Sequence, residues 1–91
     1  MFRLIYTDSY TKRAVHFFNN HRHLIEPYEK TLKLLEVNPY HPSLRLHALS
    51  GKLKGLHSIS INLSYRITLH LLLGDNEIVL INIGEHDLVY R

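Results

Sequence analysis

The spacing of apolar positions changes rhythm along this chain. Phe2 to Tyr6 is a short run of aromatic and branched residues and predicts a strand. Thr7, Asp8 and Ser9 supply N-cap chemistry, so a helix is expected to start there. Tyr10, Ala14, Phe17 and Phe18 recur at helical spacing, with Lys12, Arg13 and His16 largely on the other side, and Asn19-Asn20 breaks the pattern. A second helix is predicted over 24–37, with Leu24, Tyr28, Leu32 and Leu35 near one face and Glu26, Glu29, Lys30 and Lys33 solvated. Pro27 lacks an amide donor and belongs in the first turn, where that donor has no partner anyway.

Asn38 to Pro42 forbids further helix, and a two-residue period takes over. Leu44, Leu46 and Ala48 alternate with Arg45, His47 and Leu49 and predict a strand that turns His47 away from its apolar neighbours. Ser50 to Gly55 is a loop with Gly51 and Gly55 near its ends. His57 to Asn62 alternates again, with His57, Ile59 and Ile61 on the inward side. Tyr65 to Leu72 follows, then a hairpin turn at Gly74-Asp75-Asn76. Glu77 to Ile83 is mostly apolar and predicts a central strand, with a turn out of it at Gly84-Glu85-His86. The expected fold is one α+β domain over 1–91, ordered β-α-α-β-β-β-β. Two N-terminal helices pack on one face of a small, mostly antiparallel sheet of four or five strands, and the other face is open.

The composition fits one core and little more: 91 residues, 45% hydrophobic and 21% charged. A net charge of +3 and eight histidines favour an acidic partner such as nucleic acid. No cysteine is present, so neither a disulfide framework nor a thiolate metal site is available, which fits the cytoplasm. The longest apolar run, Leu69 to Leu73, contains His70 and is far below membrane-spanning length. His21 and His23 are the one close histidine pair, no HExxH pattern or glycine-rich phosphate loop occurs, and no metal or cofactor is expected.

Cationic and imidazole side chains punctuate the strands of the second half at His47, Arg66 and His86, with Tyr90 near the end. Such groups at strand ends suit a phosphate. Two stretches carry a family likeness: L-x-G-x-L-x-G at Leu49 to Gly55, and Tyr65-Arg66 followed by I-G-x-H-D-x-V-Y at Ile83 to Tyr90. Together they resemble bacterial toxins of the RelE/ParE superfamily, in its YafQ-like and RelE-like branches.

The resemblance implies a ribosome-dependent messenger-RNA endonuclease, neutralised by a cognate antitoxin with which it would form a hetero-oligomer. Metal-free RNA cleavage needs a base for the ribose 2′-hydroxyl, an acid for the 5′-oxygen, and cations at the charged phosphorane. By that resemblance Arg66 grips the phosphate, His86 is the general acid or a phosphate contact, His47 is a candidate base, and Tyr90 stacks on a base or bonds a phosphate. Lys52 and Lys54 could track the RNA backbone, and Tyr65 either stacks or packs. Ser60 and Ser64 stand where the YafQ-like pattern has a histidine and an aspartate, and Asn82 near an additional arginine. Those departures keep open a ParE-like role against DNA gyrase, or a toxin-derived protein with weakened catalysis.

Overall fold

The computed structural model describes residues 1–85. A five-stranded sheet is ordered β1-β5-β4-β3-β2. β1 (Arg3–Tyr6) runs parallel to β5 (Glu77–Glu85), with Arg3 opposite Glu77 and Tyr6 opposite Leu80. The other neighbours are antiparallel: β5 with β4 (Tyr65–Leu72), β4 with β3 (His57–Ser60), and β3 with the two-residue β2 (His47–Ala48). β5 therefore has a strand on each side, as its nearly continuous apolar run requires.

The first helix, α1 (Asp8–Asn19), is capped by Thr7, whose hydroxyl accepts from the Tyr10 amide at 3.1 Å. Asp8 adds a favourable charge in the first turn. The second, α2 (Ile25–Val37), starts one 3-10 turn later and holds Pro27 in its first turn. Tyr28 joins the two helices. Its ring lies 4.6 Å from that of Phe18, and its hydroxyl bonds that of Tyr10 at 2.8 Å.

One sheet face meets this helix pair. Ile59, Ile67, Leu69, Ile78 and Leu80 are fully buried there with Tyr10, Leu35 and their neighbours. Each such side chain contributes roughly 1.5–3 kcal/mol by leaving water.

Two segments depart from the alternating pattern. The expected strand over 44–49 survives only as β2. Pro42–Leu44 is a 3-10 turn, capped by His41 Nδ1 accepting from the Ser43 amide, and Arg45 ends it in the left-handed region at φ 50°. Leu44 thus enters the core from a turn and not from a strand. In β5, Thr68 pairs with Asn82 but Leu69 pairs with Leu80, which leaves Ile81 as a bulge. The bulge reverses the alternation, so Ile83 faces the core and Asn82 and Gly84 face away. β5 also runs on to Glu85, past the turn expected at Gly84.

Candidate functional site

Cross-strand partners share a face, so the register maps the side of the sheet away from the helices. His47 (β2), Ser58 (β3), Thr68 (β4) and Asn82 (β5) form one row across it. Ser60, Arg66 and Gly84 form the adjacent row. From strand spacing and rise, the Cα atoms of His47 and Arg66 are about 12 Å apart. Two long side chains at that separation can reach one ligand between them.

Arg66 is held by one end of its guanidinium. Nη1 donates to the Asn62 carbonyl at 2.5 Å and more loosely to its neighbour Tyr65 at 3.5 Å. The turn supplying that carbonyl is itself fixed: Asn62 Oδ1 accepts from the Ser64 and Tyr65 amides, each at 2.9 Å. No carboxylate among the described residues pairs with Arg66; the ion pairs there are Arg3–Glu77 and Lys30–Glu26. The Nε proton is buried without a partner among the described residues. A guanidinium tethered at one nitrogen and unsatisfied at another is oriented to meet an anion.

Two more orphans adjoin it. Ser60 Oγ and Thr68 Oγ1 are buried and find no hydrogen-bond partner among the described residues. Their residues are only 7% and 2% exposed. A buried polar atom left alone costs about 1–3 kcal/mol, so three clustered on one face require a reason. The fourth such atom, His57 Nδ1, belongs to the helix-facing side, where alternation placed His57.

His47 is exposed on β2. Its Nδ1 lies 3.0 Å from the Arg45 carbonyl, which only accepts, so Nδ1 carries the proton and Nε2 is the basic nitrogen of the neutral ring. The left-handed turn at Arg45 thereby selects the tautomer. Lys52 and Lys54 are exposed in a 3-10 loop framed by Gly51 at φ 63° and Gly55 at φ 98°. A side chain at either glycine would be strained by that φ, although nothing crowds the space around it.

Tyr65 is not brought to this face. Its ring packs edge-on against Phe17 at 5.2 Å and His21 at 4.9 Å, on the helix side of the sheet. Of the stacking and packing alternatives, packing describes it, because its position in β4 has the parity of Ile67. His86 and Tyr90 lie outside the described residues. The sequence reading passed over Thr68 and the anchoring turn at Asn62. It also took Lys12, Arg13 and His16 as a solvated helix face. They line a groove of about 440 Å³ between α1 and the end of β5, and Arg13 Nη1 donates to the bulged Ile81 carbonyl at 3.3 Å. Two adjacent cations with a histidine one turn on were the available signal. Among the described residues no group of three or more His, Cys, Asp or Glu side chains is arranged to hold a metal ion.

No protein-family model and no curated protein matches the chain. Solved structures do match. YafQ from E. coli superposes with a TM-score of 0.79 over 100% of both chains at 15% identity. A metal-bound toxin from Helicobacter pylori gives 0.79 over 98% of this chain and 99% of that one, at 19% identity. The YoeB–YefM complex from Staphylococcus aureus gives 0.72 over 94% and 98%, at 18% identity. These likenesses are of fold: the chain has the two-helix, five-strand architecture of these toxins, the one expected from its motif pair.

Proposed function

We propose that the protein is the toxin of a toxin–antitoxin pair, acting in the cytoplasm as a metal-independent endonuclease on ribosome-bound messenger RNA. The observation that carries this reading is Arg66, tethered by Nη1 on the open face and unpaired by any described carboxylate, with His47 in the adjoining row. The shared fold with YafQ and YoeB supports it.

The RNA brings its own nucleophile. His47 Nε2 takes the 2′-hydroxyl proton, the 2′-oxygen attacks phosphorus, and Arg66 stabilises the charge on the phosphorane. His86 protonates the departing 5′-oxygen, and Tyr90 shapes the site. Lys52 and Lys54 follow the RNA backbone beside β2. Tyr65 contributes by packing β4 against α1 and not by stacking on RNA.

A cognate antitoxin completes the assembly, as YefM does for YoeB in their heterotetramer. Two surfaces suit it: the open face itself, and a groove of about 520 Å³ between the helices where Tyr6, Val15 and Ile25 are exposed. No helix among the described residues is long and apolar enough to cross a membrane.

The test is induction of wild type, Arg66→Ala, His47→Ala and His86→Ala, scored for translation arrest and messenger-RNA cleavage. Loss of both in the variants is expected. Unchanged cleavage in all three would remove the site assignment. One observation favours a second reading: beside Arg66 the face offers Ser58, Ser60, Thr68 and Asn82, none of which transfers protons near neutral pH. A protein that arrests growth through DNA gyrase would leave messenger RNA intact and inhibit supercoiling in vitro.

A further inference from the structure

We infer that the Ser60 and Thr68 hydroxyls form, with Arg66 Nε, a cradle of donors for one RNA phosphate. The inference rests on the open face being the RNA site. It assigns a task to two residues that the cleavage chemistry leaves idle.

Ser60 lies directly across from Arg66, and Thr68 two residues along the same strand, so all three polar atoms flank one patch of the face. All three are buried, and none has a hydrogen-bond partner among the described residues. Arg66 Nε can only donate, and each hydroxyl can donate. A ligand satisfying the three together must bring several acceptors within a small volume. A phosphodiester does so with its non-bridging oxygens. On the β5 side the partner of Arg66 is Gly84, which adds no side chain of its own to the patch. The β-branch of Thr68 restricts its χ1 and so the direction of its hydroxyl. Neither hydroxyl titrates near neutral pH, so both position the phosphate and leave proton transfer to the histidines.

The experiment measures affinity of the full chain for a short 2′-O-methyl oligoribonucleotide, which cannot be cleaved, beside thermal melting. Thr68→Val replaces the hydroxyl with a methyl of similar shape, and Ser60→Ala deletes one. Each is expected to weaken binding about tenfold, the scale of a hydrogen bond to a charged group. Melting should be unchanged or higher, because an orphaned hydroxyl is gone. Thr68→Ser should bind like wild type. Replacing the bound phosphate with a neutral methylphosphonate should weaken wild type but have a much smaller effect on Thr68→Val. Wild-type affinity in Thr68→Val overturns the cradle whatever its melting temperature. If Arg66→Ala loses binding in that case, the RNA face stands without the cradle. If Arg66→Ala also binds like wild type, the reading of the face falls with it.

Discussion

Replacing Arg66 with lysine keeps the charge and removes the fork. In the native protein Nη1 is committed to the Asn62 carbonyl at 2.5 Å while Nε is unpartnered among the described residues. A lysine ammonium is one centre on a flexible stem and cannot hold the turn and meet a phosphate with a second, oriented donor. Losing one or two hydrogen bonds to a charged group removes about 2–4 kcal/mol of transition-state binding, roughly thirtyfold to a thousandfold in kcat/KM. The fold should scarcely notice. The turn is held independently by Asn62 Oδ1 and the amides of Ser64 and Tyr65, so the lost Arg66 bond costs at most about 1.5 kcal/mol of stability. The assay is cleavage of a defined messenger RNA on purified programmed ribosomes, with melting measured in parallel. Cleavage by Arg66→Lys within twofold of wild type would refute the claim that guanidinium geometry, and not charge, does the work.

Three further outcomes are expected. Asn62→Ala removes two side-chain bonds to the turn and should lower stability by about 1–2 kcal/mol, on the order of 5–15 °C in Tm, with cleavage falling because the backbone carbonyl that tethers Arg66 is no longer held in place. Burial holds the Tyr10 hydroxyl well above the usual tyrosine range. The stability this confers is complete below about pH 10 and is lost as pH rises through the higher folded value, so Tyr10→Phe should flatten the alkaline decline by about 1.4 kcal/mol per pH unit, read from denaturant melts at pH 9 to 11. Substituting both Lys52 and Lys54 with alanine should reduce the logarithmic salt slope of RNA binding by about 1.4, at roughly 0.7 per phosphate contact, with little change in Tm. An unaltered slope would mean the loop does not track the backbone.

Much of this fold was legible wherever one residue's environment depends on its sequence neighbours. Thr7 caps α1, Pro27 sits in the first turn of α2, and the alternation from His57 to Leu71 sorts the two faces of the sheet correctly. Parallel pairing of β1 with β5 joins residues more than seventy positions apart, and no local pattern encodes it. The left-handed Arg45 and the Ile81 bulge escaped for a different reason. Neither position is glycine or asparagine, the residues that usually announce such backbone. The consequences reach the site. Arg45 sets the tautomer of His47, and the bulge brings Asn82 and Gly84 to the open face. Arg66 and His47 were named as candidates from the family resemblance. Thr68 was not, because a threonine within a strand pattern reads as ordinary until its hydroxyl proves to be buried without a described partner.

The chemistry of the cut RNA ends tests the central claim most directly. Attack by the 2′-hydroxyl breaks the bond from phosphorus to the 5′-oxygen, leaving a 2′,3′-cyclic phosphate upstream and a 5′-hydroxyl downstream. Ribosome-bound messenger RNA incubated with the purified protein should carry those ends, and His47→Ala should produce few of them. Intact messenger RNA, or cuts ending in 3′-hydroxyl and 5′-phosphate, would contradict the account.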